Sequence, residues 1–534
     1  MVDILPNIAG KKVYKMIGKR SGETHFDAIV IGSGMGGMCC ATALAKYGKK
    51  VLVLEQHYLP GGYTHMFTRK GYSWDVGVHA IGEMGGNTQT ARMFNWLSDK
   101  GVNWISLGED YDSFIYPDGY KIAFPNDKNE YIRRLKEDFP DETEKLDEYF
   151  KLVKKAAHEA KSYFAFKLLP EKIDSAFSRI NHKFQKDWWE ATAEDVLQEM
   201  GLSEKLITVL TAQWGYHGNI PNEASFAIHA LIVNHFAWGA YYPQGGSKSI
   251  ASALLSQVEN AGGETLCRAF VEEVLVEGNK AVGVRLKTGE KFYAPKIISA
   301  IPAKKTVENL IPSSFKNTPW AKEISKIPDS PPYLCLHMGF KGDIKKAGAK
   351  STNMWFMNTY SREKKLWDIS DPNSIIDILY VSFPSLKDPE HNPGEEMIHT
   401  GEAVTFVPYD IFEKWKNSDY GKRDQSYKDF KNQIEKRIID HLKERIPDIM
   451  QYLDFVELST PLTSEHFVEV VKGAIYGLDS SPARFACKKL RPRTPIKGFY
   501  LSGVDITTTG VMGGMTAGLI TAATIEPKVI RHLL

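Results

Sequence analysis

The apolar run Ala28-Ile29-Val30-Ile31 ends in Gly32-Ser33-Gly34-Met35-Gly36-Gly37, and a second run, Val51-Leu52-Val53-Leu54, ends in Glu55. Short, uniformly apolar runs bounded by turn residues read as strands buried on both faces, as in a parallel sheet. The segment between them predicts one helix over 38–47. Strand, glycine-rich turn, helix, strand and carboxylate thus follow within about thirty residues. Residues 266–277 and 281–286 predict paired strands joined by the hairpin Gly278-Asn279-Lys280, and 294–302 predicts another buried strand. Residues 498–505 predict a last short strand ending in Gly503-Val504-Asp505, with a helix of small and apolar residues over 515–525.

The stretch from about 106 to 239 is rich in helical pattern and aromatics. Its end, 224–238, is a near-continuous apolar helix carrying His229 and His235, to serve as core or as a pocket wall. Strands are predicted at 333–340, 375–383 and 402–408, and a long charged helix with a solvated face at 425–446. Six segments result. Residues 1–24 form a basic N-terminal piece. Residues 25–105, 240–312 and 480–534 build one nucleotide-binding domain, 106–239 a helical region facing substrate or membrane, and 313–479 a substrate domain. The expected fold class is α/β: a discontinuous Rossmann-like domain beside an α+β substrate domain of antiparallel sheet and helices.

The glycine turn has a defined chemistry. Gly32 permits a tight turn, Gly34 lets main chain approach a pyrophosphate, and Gly37 lets the helix pack on the strand. Ser33, Met35 and Gly36 complete the turn at a helix N-terminus whose free N–H groups suit phosphates. Glu55, with Gln56 after it, is placed for a ribose diol. Gly61, Gly62 and Tyr63 suit a loop folding back over the cofactor, which an extended, buried FAD needs. Gly503 and Asp505, the latter toward the ribityl chain, and Val511 and Met512 at a second helix N-terminus, are candidates at the far end. Val271 is positioned for main-chain contact with an adenine.

With 534 residues, the chain is long enough for two or more structural units. A hydrophobic fraction of 43% and a charged fraction of 25% are those of a globular protein, and no run approaches the roughly twenty apolar residues of a membrane span. Net charge +2 gives no reason to invoke nucleic acid. Five cysteines without a CxxC argue against a disulfide framework or metal site, and point to reduced thiols in a cytoplasmic setting. Lysines and Arg20 alternate with Val13, Tyr14, Met16 and Ile17. That pattern predicts either a short amphipathic helix peripheral on an anionic membrane or a solvated tail. No Ser/His/acid order, HExxH or Cys/His zinc spacing supports a hydrolase or metalloenzyme.

Beyond the nucleotide motif, Gly61-Gly62 through Asp75-Val76-Gly77-Val78-His79-Ala80-Ile81-Gly82, Ser225 to Phe236, Tyr242-Pro243-Gln244-Gly245-Gly246-Ser247 and Phe383-Pro384-Ser385-Leu386-Lys387-Asp388-Pro389 carry a resemblance. The chain resembles the flavin-dependent amine oxidase/phytoene desaturase superfamily, and within it the retinol saturase and carotenoid isomerase group. It departs at Glu83, where a basic residue is expected, and at Tyr63-Thr64-His65-Met66. The resemblance implies an FAD-dependent oxidoreductase acting on carbon–carbon double bonds of a retinoid, carotenoid or unsaturated lipid, with an external electron donor or acceptor. Saturation comes first, desaturation or redox-neutral isomerisation second. Amine oxidation would need an aromatic cage near the flavin. A non-catalytic prenyl-lipid carrier of the GDP-dissociation-inhibitor type is the alternative from another class, against which Glu55 and both intact glycine loops argue. His79, following the turn expected near the flavin ring, is the first candidate proton donor, with Tyr242 and His229 second. Glu83 is a further candidate if a greasy pocket raises its pKa.

Overall fold

The computed structural model of the chain describes residues 13–171, 188–363 and 366–533. Its organising element is a six-stranded, all-parallel sheet in the order Lys15–Met16, Glu264–Cys267, Val51–Glu55, Ala28–Ile31, Ile297–Ser299, Phe499–Leu501. The strands at 28–31, 51–55 and 264–267 are buried at every residue, the first two because they are apolar almost throughout. Helix Met35–Ala45 is likewise buried at all eleven positions. It lies against helix Gly510–Ile525, and only small side chains permit that approach: a Cβ on Gly518 would stand 2.6 Å from the Gly36 carbonyl oxygen. Cys39 and Cys40 sit fully buried on this helix as packing groups. Three strands, Val271–Glu277, Lys280–Leu286 and Lys291–Tyr293, form a separate antiparallel sheet around the expected hairpin.

A second large sheet has seven strands in the order Leu453–Ser459, Tyr333–Lys341, Ile398–Phe406, Ile378–Ser382, Asn353–Met357, Asp110–Ile115, Lys121–Pro125. All its pairings are antiparallel except that of 353–357 with 110–115. The stretch 106–239 is therefore not wholly helical. Its first two strands extend this sheet, because Tyr111, Phe114, Ile122 and Phe124 bury against the helices that follow. Helix Thr143–Phe166 and helix Phe226–His235 then pack together over the sheet. Helix Gln425–Arg445 buries Tyr427, Ile434, Ile438 and Leu442 along one stripe and leaves its charges outward.

The N-terminal segment also differs from both alternatives drawn from its pattern. Residues 13–20 form neither an amphipathic helix nor a loose tail, while residues 1–12 lie outside the described residues. Lys15 and Met16 pair with Leu266 and Cys267 at the sheet edge, Val13 and Tyr14 are buried, and Lys15 Nζ lies 2.8 Å from Glu264 Oε1. Unpaired main-chain groups at the sheet edge recruit the segment, and its apolar residues then face the core. Among the described residues no helix is long and apolar enough to cross a membrane.

Candidate active site

The carboxyl ends of the parallel strands open into one cavity of about 1120 Å³. That exceeds the roughly 300–1,000 Å³ of a site for one small molecule, so there is room for a nucleotide cofactor and a second ligand. Gly32, Gly34, Met35, Gly36, Glu55, Gln56, Gly61, Gly62, Tyr63, Val271, Gly503, Asp505, Val511 and Met512 all line it. Ser33 and Gly37 stand behind that wall. Ser33 donates through N and Oγ to Glu55 Oε2 (2.9 and 2.6 Å) and accepts from Gly61 N at 3.0 Å, tying the acid to both glycine loops. A Cβ on Gly37 would fall 2.1 Å from the Gly32 carbonyl oxygen, which is the close helix–strand packing expected of that position.

The cradle has the form a dinucleotide needs. A Cβ on Gly34 would meet nothing within 4 Å, and Gly61 holds φ +124°, a conformation other residues adopt only under strain. Helices 35–45 and 510–525 both begin without a side-chain cap, so their first N–H groups remain free at the cavity wall. Glu55 already accepts from Ser33 and from His57 N, leaving part of its acceptor capacity for a diol. Asp505 is more committed. Its oxygens accept from Leu478 N (2.9 Å) and Ala303 N (2.7 Å), so it also fastens three chain segments together. Buried Arg484 donates to the carbonyls of Leu478 and Val504 and fixes that loop further.

A second arm of the cavity is apolar. Tyr333 and Cys335, Ile378 and Tyr380, and Val404 and Phe406 present alternate positions of three strands to it, with Trp355 from a fourth. Ile228, Leu231, Ile232 and Phe236 close it from the helical side. The helical residues fall within 224–238, expected as core or a pocket wall, whereas the strand residues were not singled out in the sequence. Their period-two spacing within predicted strands was the available signal.

Of the four proton-donor candidates, His79 and Glu83 line the cavity and Tyr242 and His229 do not. His79 lines the cavity on the loop after the strand Tyr72–Asp75, its ring 5.5 Å from that of Tyr380. Tyr242 is 1% exposed behind the wall, donating to Asp75, whose other oxygen accepts from Ser247 N at 2.9 Å. Burial and the Asp75 carboxylate push the Tyr242 phenol well up. His229 is buried, 2.8 Å from the Tyr149 hydroxyl, and burial lowers its pKa to about 4. Glu83 lines the cavity, but its pKa is not raised. Burial favours the neutral acid, yet His235 Nδ1 at 3.2 Å and the Thr90 hydroxyl outweigh this and hold it below the usual carboxylate range.

Behind His79 lies Glu402, fully buried, with Oε2 3.0 Å from His79 Nδ1 in an ion-pair contact not aligned as a hydrogen bond. Lys387, also buried, donates to the His79 carbonyl at 2.7 Å, and burial lowers its pKa to about 7 against the pull of Asp112, Asp75 and Glu402. Cys335, His337 and Glu402 bring possible ligand atoms within 4.8 Å of one another. Both His337 nitrogens are taken by Glu402 and Ser459, and burial pushes the Cys335 thiol up, away from the thiolate a metal needs.

The family described as flavin containing amine oxidoreductase matches residues 35–525. An all-trans-retinol 13,14-reductase of Danio rerio is 32% identical over 522 residues, covering 93% of this chain and 86% of that protein. A chloroplastic prolycopene isomerase of an Oncidium hybrid cultivar is 27% identical, covering 93% and 80%. Among solved structures, cyclohexylamine oxidase from Brevibacterium oxydans shares the fold with a TM-score of 0.58 at 16% identity, covering 95% of this chain and 100% of the other.

Proposed function

We propose that this chain, which belongs to the flavin containing amine oxidoreductase family, saturates one double bond of a long apolar polyene of the retinoid or carotenoid class. Its cofactor is FAD. The observation that carries the reading is a single cavity in which the nucleotide loops and an apolar arm meet around loop 76–81. FAD, when bound, supplies hydride chemistry. The chain's residues do the rest. The free N–H groups of the two helix N-termini would hold the pyrophosphate and the flavin end, Glu55 would hold a ribose, and Val271 would hold the adenine. The apolar strand and helix walls orient the polyene and exclude water. His79 holds the proton delivered to the second carbon of the double bond, since of the two candidates that line the cavity the other, Glu83, is held below the usual carboxylate range by His235 and Thr90.

The likeness to a retinol reductase favours saturation, and that to a prolycopene isomerase makes redox-neutral isomerisation the second reading. An external donor supplies the electrons that saturation consumes. Peripheral contact with a lipid surface suits a substrate that partitions into bilayers, and liposome co-sedimentation tests it. The reaction itself is tested by mixing anaerobically reduced protein with all-trans-retinol. Return of the oxidised flavin absorbance is expected, and a flavin that stays reduced with retinoids and carotenoids alike would contradict saturation.

A further inference from the structure

Glu402 and His337 do not line the cavity, yet they form a polar cluster directly behind the side chain that does. They stand opposite each other in the antiparallel register of strands 398–406 and 333–341. Glu402 Oε1 lies 3.1 Å from His337 Nδ1, Oε2 lies 3.0 Å from His79 Nδ1, and His337 Nε2 lies 3.1 Å from the Ser459 hydroxyl. A carboxylate with no access to water is costly unless paired. Burial raises its pKa, but the two imidazoles reverse this and bring it down to about 2. His79 Nδ1 is buried against that carboxylate, whereas the side chain as a whole is 16% exposed. The edge of the ring turned to the cavity is therefore not Nδ1.

Other groups face this cluster. Asp75 from strand 72–75 is bonded to Tyr242 and Ser247, Lys387 holds the His79 carbonyl, and Cys335, Tyr333 and Tyr380 come from the sheet. Only Glu402 reaches both imidazoles among the contacts of the described residues.

We propose that Glu402 is a positioning residue for His79, and that His79, Glu402 and His337 form an imidazole–carboxylate–imidazole relay that fixes Nδ1 inward and leaves Nε2 to carry the proton toward substrate. The proposal rests on the reading of His79 as proton donor. In the step, the Nε2–H bond breaks and its electron pair stays on the ring. The proton joins the carbon beside the one that takes hydride, and the π pair of the double bond is consumed. His79 regains a proton from solvent after product leaves. The carboxylate keeps the ring from rotating.

The test has a readout independent of turnover. Histidine labelled with ¹⁵N in the flavin-loaded protein should show a proton on His79 Nδ1 in both its neutral and charged forms, and the His337 titration should move in His79→Gln. A His79 whose Nδ1 is bare when neutral overturns the relay, even if no Glu402 variant folds. Where Glu402→Gln folds, turnover should fall about 10²-fold with the flavin spectrum unchanged. The limb of the pH profile that requires protonated His79 should move to lower pH, and Glu402→Asp should restore part of the loss. An unmoved His79 titration and pH profile with only lowered stability would reduce Glu402 to a structural role and overturn the proposal. A stoichiometric metal in the purified protein would overturn it too. If His79→Gln turns over normally while the titrations remain coupled, the proton-donor reading fails and the proposal, which depends on it, fails as a catalytic relay. The coupling then survives as electrostatics alone.

Discussion

A Cβ built on Gly36 would stand 2.5 Å from the Cα of Gly503, which joins the first glycine turn to the last. Both partners are main chain, so neither can swing aside. Gly36→Ala must push the 503–505 loop away from the helix N-terminus, at a cost on the order of 1–3 kcal/mol or more for overpacking. The variant is expected to purify with little bound flavin and a lowered Tm. The ratio of flavin to protein absorbance checks this, and a normal ratio would show that the contact does not shape the cofactor site.

His79→Gln keeps a polar side chain of similar reach but cannot donate a proton from an imidazolium. Turnover is expected to drop about 10²-fold or more, the usual weight of a general acid, with flavin content and spectrum retained. Steady-state assays over a range of pH measure it. Normal turnover would clear His79 of the role.

Ile232 lies on the cavity face of helix Phe226–His235. Ile232→Trp should fill part of the apolar arm and weaken polyene binding about tenfold, leaving flavin binding alone. Titration of a fluorescent polyene measures this directly. Undiminished affinity would place the substrate elsewhere.

Glu402 also sets an acid limit on stability. Its folded pKa, about 2, lies below the ordinary carboxylate value of 4.5. Below pH 4.5 an unfolded chain binds this proton while the folded one does not, so the contribution is complete above pH 4.5 and is lost as pH falls toward 2. The size is on the order of 3 kcal/mol. Urea midpoints from pH 6 to pH 3 should fall steeply in the wild type and less so in Glu402→Gln. Parallel curves would show that the carboxylate is not the group titrating.

Much of the nucleotide side was legible in the sequence because its chemistry is local. The turn that starts at Gly32, Glu55 and the pair Gly61-Gly62 are each recognised from a few residues of chain, and they come together at one cavity. The apolar arm was less legible. Strands 110–115 and 121–125 pair with each other locally, but they read as part of a helical stretch because the strand that ties 110–115 into the large sheet, residues 353–357, lies more than two hundred positions away. Tyr242 and His229 sit near cavity-lining neighbours in sequence but point into the protein, toward Asp75 and Tyr149, which spacing cannot disclose. Glu402 and His337 were missed for the same reason, since only sheet register sets them side by side. Glu83 lines the cavity, but His235, 152 positions away, reverses the pKa shift expected from burial alone.

Net addition of hydrogen across a double bond is tested most directly by the mass of the product. Reduced protein incubated anaerobically with a retinoid should yield a product heavier by two hydrogens, with up to two solvent-derived deuteriums when the reaction is run in D₂O, because the flavin N–H and the imidazole N–H both exchange with solvent. An unchanged mass with altered double-bond geometry would contradict saturation and make the protein an isomerase, and a product lighter by two hydrogens would make it a desaturase.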